Sequence, residues 1–443
     1  MKLTGLLDRL GSTMALPALA AARRRQQWLS AEELARVREQ QLSGLLQTAF
    51  RAPYYREVFR SLGVRDAREA GRLTLAQLPL LERETLKTRP IEDFLTVDRS
   101  RLFASTTSGS TGSPCTFLRS PLEQADFSAR WWRVYAAYGC GWNSTQVNIA
   151  SGMRKRLPGA LTVLRDLGLL PKVQVYPASA PAERICEAVE ALAPPILTGY
   201  SAAIESFAEH VIASGARLPR PRVVICTGME VLQRCRKLAR QAFGAPVADV
   251  YVTLELGVVA WSCPQSPDLL HINDDVFEVE VLDADGRPAA YGVSGELVIT
   301  PLRLRSMPLL RYRIGDVAAR VPGKCPCGRG LALMTPVQGR TAHAIRAPNG
   351  GLIMAPTFGA SFEMAAAGEW ARRFQIREES EGRIAILVEA RREPTDAEQE
   401  RLRRCVQQLV GSAFDVSLKI TESIPYAPSG KFQVVVPRRE RVA

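Results

Sequence analysis

The sequence has no long hydrophobic runs and few cysteines and histidines. No uncharged apolar stretch reaches the roughly eighteen residues that a spanning helix needs, so we expect no membrane association. Nine cysteines, an odd number, are spread over 443 residues, which excludes a disulfide-stapled scaffold and favours a reducing cytoplasm. Near the N-terminus, Asp8 and Arg9 interrupt the apolar segment and a basic cluster follows it. We therefore expect an ordinary helix there rather than a signal peptide.

The charge balance is basic but dispersed. Lys and Arg number 58 against 45 Asp and Glu, which gives a formal net charge of +13. Apart from short runs such as Arg23–Arg25, the basic residues are scattered, and no RNA-binding or helix-turn-helix signature accompanies them. We interpret most of them as solvated surface that also suits small polyanions such as nucleotides. The net charge is the only observation that supports the hypothesis of a nucleic-acid-binding module.

The pattern of apolar residues predicts an α/β protein with two domains. In the middle of the chain, strand, helix and strand alternate through PRVVICTGM, VLQRCRKLARQAFG and APVADVYV, which predicts parallel strands with crossover helices. FEVEVLDADGRPA, with its turn at Asp283–Gly286, is typical of a hairpin, and we expect SGELVITPL to pair with it. After Gly339, the strands RIAILVEA and VSLKITES flank a charged helix. We predict a large α/β domain of layered sheets and helices over residues 1–338, and a small α+β domain over 339–443.

The stretch TSGSTGSP (107–114) is by itself either a slack turn or a phosphate-holding loop. Its glycines let the backbone fold tightly and its hydroxyls are short-reach donors, although it is not a Walker-type GxxxxGK[ST] loop. Other short motifs follow it in series: TGME (227–230), YVTLE (251–255), LLRYRIGD (309–316), GR (339–340) and PSGKFQ (428–433).

In this order and spacing, about residues 35–436 resemble the adenylate-forming superfamily of acyl-CoA synthetases and adenylation domains. Within it the sequence is most similar to the phenylacetate–CoA ligase-like branch. The resemblance implies that a carboxylic acid, which we expect to be aromatic, attacks the α-phosphate of ATP through its carboxylate to give an acyl adenylate and pyrophosphate. CoA then displaces AMP to form a thioester. It also implies that the C-terminal domain is a mobile lid.

The resemblance assigns the nucleotide to residues from five of these motifs. It gives the β- and γ-phosphates to the loop residues Ser108, Gly109, Ser110, Thr111 and Gly112, and the adenine ring to Gly228, Met229, Glu230 and Tyr251. Asp316 would accept hydrogen bonds from the ribose hydroxyls, and Arg340 would pair with the nucleotide phosphates or the ribose.

Two residues carry the predicted chemistry. Glu255 would hold Mg²⁺, which screens the phosphate charge. Lys431 would bring a compact positive charge to the α-phosphate in the transition state. The sequence departs from the family pattern at four positions, Val252 and Leu254 in YVTLE and Ala342 and His343 after GR. A catalytically degenerate nucleotide-binding protein therefore stays open as an alternative.

A second set of residues suggests a structural metal. Three thiols and an imidazole complete a tetrahedral zinc shell, and the candidates are Cys263, His271, Cys325 and Cys327. Their spacing in the sequence is looser than that of a zinc finger. The alternative to a metal site is that these are four ordinary residues, with a tight turn at CPCG. Related members of the branch carry a similar set, which favours Zn²⁺.

The sequence does not identify the acid or the acceptor. A carrier-protein thiol or an amine could receive the acyl group in place of CoA, and the protein could be a monomer or a homodimer.

Overall fold

The structure is a computed structural model that describes residues 3–106, 114–150, 171–347, 352–425 and 432–438. Its α-helices are α1 (Leu3–Gln26), α2 (Ala31–Ala49), α3 (Pro53–Ser61), α4 (Ala67–Ala70), α5 (Arg83–Thr88), α6 (Pro121–Ala137), α7 (Ala182–Leu192), α8 (Ser201–Ser214), α9 (Gln233–Phe243), α10 (Ala355–Met364) and α11 (Asp396–Val410). Short 3-10 turns lie at Leu75–Gln77, Ile91–Phe94, Arg99–Arg101, Thr341–His343 and Ala367–Glu369.

The strands form one large sheet and several smaller ones. They are β1 (Phe103–Thr106), β2 (Thr116–Arg119), β3 (Gln146–Ala150), β4 (Val173–Pro177), β5 (Ile196–Tyr200), β6 (Val223–Thr227), β7 (Val247–Thr253), β8 (Gly257–Cys263), β9 (Ser266–Ile272), β10 (Phe277–Leu282), β11 (Gly295–Pro301), β12 (Tyr312–Ala318), β13 (Arg320–Val321), β14 (Leu333–Met334), β15 (Ile345–Arg346), β16 (Leu352–Ile353), β17 (Ala371–Ser380), β18 (Arg383–Ala390), β19 (Asp415–Thr421) and β20 (Val435–Val436).

The large sheet has the strand order β13-β14-β9-β8-β7-β6-β5-β3-β4. Its half from β4 to β7 is parallel, and the half from β7 to β13 is antiparallel. Helices α7, α8 and α9 connect the parallel strands, and α9 ends at Gly244 in the left-handed conformation, as its glycine predicts. The predicted strand–helix alternation is confirmed.

A second sheet, β10-β11-β12, packs against the antiparallel half of the large one. The predicted antiparallel pairing of β10 with β11 is confirmed, with Phe277 opposite Pro301. The two sheets share one apolar core, to which Leu270 and Ile272 of β9 and Val279 and Ile314 of the second sheet contribute. Tyr251, near the end of β7, therefore meets Asp316 of β12 across this junction.

The C-terminal part has a core of its own. A sheet with the order β19-β18-β17-β20 packs on α10 and α11 around Trp370, Ile386 and Leu402. Thr395 and Glu398 form a reciprocal capping box that starts α11. The domain boundary near Gly339 stays a prediction.

A buried ion network fixes α1 to the large domain. Arg23, near the end of α1, donates to Asp126 of α6 at 3.1 Å and to Asp275 at 3.0 Å. Arg133 of α6 donates to both oxygens of Asp275. The expectation that the basic runs are solvated is wrong for Arg23, which is 2% exposed, because two carboxylates compensate its burial. The predicted N-terminal helix is confirmed, and in the described part of the chain no helix is long and apolar enough to cross a membrane.

Candidate functional site

Asp316 lies at the junction of the two sheets with both carboxylate oxygens in use. Its Oδ2 accepts a hydrogen bond from the Tyr251 hydroxyl at 2.5 Å, and its Oδ1 accepts one from Arg340 Nε at 3.2 Å. Burial, followed by the nearby Asp316 carboxylate, raises the pKa of Tyr251 well above its usual value, so the phenol stays a donor. A carboxylate offers about four acceptor positions, so Asp316 retains capacity for two further donors.

Backbone pairing brings Arg340 to Asp316. The two residues form an antiparallel bridge, and Val317 N donates to Gly339 O at 2.9 Å. Burial lowers the pKa of Arg340, but the charges of Asp316 and Glu255 outweigh it, and the net shift is upward. Arg340 is therefore a permanent positive charge between two carboxylates.

Glu255 occupies the turn between β7 and β8 and is 2% exposed. Its Oε1 is buried and has no hydrogen-bond partner among the described residues, and the same holds for the hydroxyl of Tyr312. Burial and then the charge of Glu255 raise the pKa of Tyr312, so this group also stays protonated. A buried carboxylate oxygen with a free acceptor position is a suitable ligand for a hard cation such as Mg²⁺.

The segment Gly228–Glu230 follows β6 and lies against the Gly339–Arg340 segment. Gly228 adopts a left-handed φ of 71°, which lets the chain turn out of the strand. Ser201 Oγ donates to Glu230 O at 2.7 Å and fixes the end of the turn. Because β6 and β7 are parallel neighbours, this segment and Tyr251 meet at the carboxyl edge of the sheet, where open α/β sheets bind ligands.

The structure thus brings together the predicted residues of four motifs, namely Gly228, Met229, Glu230, Tyr251, Glu255, Asp316 and Arg340. The predicted phosphate-loop residues Ser108, Gly109, Ser110, Thr111 and Gly112, and the predicted catalytic Lys431, lie outside the described residues. The flanks of that loop are paired, because Thr106 and Thr116 stand opposite each other in β1 and β2 with their hydroxyls 3.1 Å apart. The roles of all these residues stay predictions.

The four residues of the candidate metal set also converge. The ligand atoms of Cys263, His271, Cys325 and Cys327 all lie within 4.8 Å of one another. Pairing of β14 with β9 places Leu333 opposite His271 and so brings the loop with the two later cysteines to the end of β8. Burial, then the charge of Arg329, lowers the pKa of His271 to about 4, so the imidazole is in its neutral, ligating form at pH 7.

Aromatic rings and a guanidinium group pack around this Cys/His cluster. The Arg329 guanidinium lies 4.7 Å from the Trp28 ring centre and 5.2 Å from that of Trp261, whose indole in turn packs on His271. Three sulfur atoms and one nitrogen in a closed, mostly buried pocket fit tetrahedral Zn²⁺.

Sequence reasoning missed several residues around Glu255. Arg119, Phe127 and Arg130 surround its turn, and Tyr312 places a second partnerless buried group beside it. The available signals were an arginine that ends the apolar strand CTFLR and another in the middle of α6, but neither belongs to a motif.

Comparisons with known proteins agree with this geometry. A family model described as the CapK C-terminal domain matches residues 345–438. Phenylacetate-coenzyme A ligase of Thermus thermophilus is 27% identical over 324 residues, which cover 71% of this chain and 72% of that protein. Phenylacetate-coenzyme A ligase of Escherichia coli K12 is 26% identical over 326 residues, covering 70% and 72%.

A solved structure extends the likeness to nearly the whole chain. 2-Hydroxyisobutyryl-CoA ligase, in its postadenylation state with R3-HIB-AMP, matches with a TM-score of 0.76 at 20% identity, covering 94% of this chain and 92% of that one. The chain is thus similar in sequence to phenylacetate–CoA ligases and in fold to an acyl-CoA ligase, which supports an adenylate-forming, phenylacetate–CoA ligase-like protein. The predicted resemblance and the predicted α/β fold are confirmed.

In this phenylacetate–CoA ligase-like protein, Gly339 is the point where two site segments touch. Its φ is +120°, and a Cβ there would lie 2.5 Å from Glu230 Oε1 and 3.3 Å from Met354 Cε. We predict that Gly339→Ala lowers the free energy of unfolding by about 1–3 kcal/mol through backbone strain. Adding Glu230→Ala should recover only part of the loss, because the strain remains. Thermal unfolding measures both.

Gly368→Ala is the matched control, since its added Cβ would meet only Arg234 Nη1 at 3.7 Å. This variant should unfold within a degree or so of the wild type. If Gly339→Ala were equally stable, the close approach of the two segments would be wrong.

Proposed function

We propose that this protein uses ATP to activate a carboxylic acid as an acyl adenylate, releasing pyrophosphate, and then transfers the acyl group to CoA. The observation that carries the proposal is the convergence of Tyr251, Glu255, Asp316 and Arg340 at the carboxyl edge of the parallel strands. The names of its relatives favour an aromatic acid such as an arylacetate, and their CoA acceptor favours a thioester product.

Each converging residue has a task in this reaction. Asp316 accepts hydrogen bonds from the two ribose hydroxyls at the acceptor positions that Tyr251 and Arg340 leave free. Arg340 balances the phosphate charge, and the backbone of Gly228–Glu230 lies along the adenine. Because Glu255 Oε1 is buried without a partner among the described residues, it fits Mg²⁺, which supplies charge neutralisation at the phosphates when bound.

The remaining tasks fall to residues outside the described ranges. The Ser108–Gly112 loop donates hydrogen bonds to the outer phosphates. Lys431 stabilises the charge that builds up when the carboxylate oxygen bonds to the α-phosphorus and the bond to pyrophosphate breaks. The acid, ATP and CoA are the proposed partners.

The direct test is acid-dependent exchange of labelled pyrophosphate into ATP, screened with aromatic, fatty and amino acids. We predict exchange with at least one acid and a loss of about 10²–10³-fold in Lys431→Ala, the usual cost of removing one transition-state donor. Lys419→Ala is the control in the same part of the chain, because Lys419 is an exposed lysine that forms a surface ion pair with Glu379. Full exchange by Lys431→Ala would remove this lysine from the mechanism.

Two other functions give different results in the same assay. Tight ATP binding without exchange for any acid supports a degenerate nucleotide-binding protein, for which the departures at Val252, Leu254, Ala342 and His343 argue. Exchange without a CoA thioester in the product mass spectrum supports transfer to a carrier-protein thiol or an amine.

We also propose that the Cys/His cluster holds one structural Zn²⁺, because its four ligand atoms leave no position open for substrate. Purified, tag-free protein should contain about one zinc per chain, and Cys325→Ser should lose it and unfold at a lower temperature. Cys405→Ser, which changes a thiol remote from the cluster, should retain the zinc. Metal analysis that finds no zinc in the wild type would refute the site.

A further inference from the structure

Two buried arginines hold the backbone on either side of Glu255. Arg119 Nη2 donates to Leu254 O at 2.7 Å, and Arg130 Nη1 donates to Leu256 O at 2.7 Å. The same Arg130 nitrogen also lies 3.3 Å from Val258 O. The carbonyls that precede and follow Glu255 are therefore both fixed by charged donors, which make stronger hydrogen bonds than neutral ones.

Phe127 sets the spacing of the two arginines. The guanidinium carbons of Arg119 and Arg130 lie 4.1 Å and 4.3 Å from its ring centre. At Gly257, which ends the Glu255 turn with φ +72°, an added Cβ would lie 2.7 Å from Phe127 Cδ1. The ring thus contacts the backbone of the turn directly, and the three side chains form one packed unit beneath it.

The guanidinium groups of Arg119 and Arg130 bind backbone carbonyls and leave the Glu255 carboxylate available to a cation. Burial lowers the pKa of Arg119 and of Arg130 to about 10 each, so both stay charged at pH 7. Neither forms an ion pair with Glu255, whose Oε1 keeps its free acceptor position, and Arg130 lies 3.6 Å from Asp126 instead. An arginine paired directly with Glu255 would compete with a cation for the same carboxylate oxygen. An arginine bound to an adjacent backbone carbonyl fixes the turn and leaves that oxygen unoccupied.

These residues also connect two parts of the chain that the proposed reaction needs in one place. Arg119 is the last residue of β2, the strand that follows the Ser108–Gly112 segment, and Phe127 and Arg130 lie on the helix that comes next. The contact of Arg119 with Leu254 spans 135 residues.

We propose that Arg119 and Arg130, spaced by Phe127, are positioning residues that hold the Glu255 turn so that its free carboxylate oxygen can receive a divalent cation. The inference rests on the proposed function for the identity of that cation. The positioning itself can be measured without turnover.

The test combines hydrogen exchange with cation binding in the full-length protein. In Arg119→Met, amides of residues 253–258 should exchange at least about tenfold faster than in the wild type, because the anchor of the turn is gone. Binding of Mn²⁺ with a non-hydrolysable ATP analogue, followed by electron paramagnetic resonance, should weaken by about 10–100-fold, as for other groups that orient a metal ligand.

Conservative variants separate positioning from general damage. Arg119→Lys keeps a donor but loses the planar stacking on Phe127, so it should restore part of the protection and part of the Mn²⁺ affinity. Phe127→Leu, which leaves both arginines in place, should loosen the same peptide if Arg119→Met fails to fold. Arg38→Met removes ion pairs to Asp274 and Glu278 elsewhere in the large domain and should change neither measurement.

The outcomes distinguish this inference from the proposed function. Unchanged hydrogen exchange and unchanged Mn²⁺ binding in Arg119→Met and Phe127→Leu would overturn the positioning role. Acid-dependent pyrophosphate exchange by the wild type would still support the proposed function in that case. If the wild type binds no Mn²⁺–nucleotide and shows no pyrophosphate exchange, both the proposed function and the cation assignment are overturned. This holds even if hydrogen exchange shows that the turn loosens in the variants.

Discussion

The constraint on which the site depends is the burial of two carboxylates, Glu255 and Asp316, at the junction of two sheets. Buried carboxylates are stable only where donors or positive charges compensate the loss of water. Asp316 obtains this from Tyr251 and Arg340, within hydrogen-bonding distance. Glu255 obtains it at longer range from Arg119 and Arg340, and keeps one oxygen without a partner among the described residues. This difference is the basis on which we propose hydroxyl donors for Asp316 and a cation for Glu255.

The architecture follows from that requirement. Parallel strands β6 and β7 bring two turns to one edge, and the antiparallel continuation of the sheet lets β12 pack across the end of β7. The Arg340 segment reaches the site through backbone pairing with β12, immediately before the C-terminal core begins. The proposed binding site thus includes the segment that joins the two cores. The Cys/His cluster lies at the opposite end of β8, away from Glu255.

Local patterns predicted much of the fold, and motif order predicted much of the site. Strand–helix alternation, the charged helix α11 and the pairing of β10 with β11 depend on neighbouring residues, so the sequence reveals them. Asp316 and Glu255 belong to recognisable motifs. The roles of Arg119 and Arg130 could not be predicted, because arginines that bind backbone carbonyls more than a hundred residues away have no local signature. Arg23 was misjudged for the same reason: its partners, Asp126 and Asp275, are distant in sequence.

The central claim is that the acid's own oxygen attacks the α-phosphorus of ATP. The most direct measurement uses an acid labelled with ¹⁸O in its carboxylate, with mass spectrometry of the AMP formed after transfer to the acceptor. Since the acyl carbon–oxygen bond breaks in the second step, the account predicts that one ¹⁸O per turnover appears in the phosphate of AMP. Unlabelled AMP, or formation of ADP in its place, would contradict it.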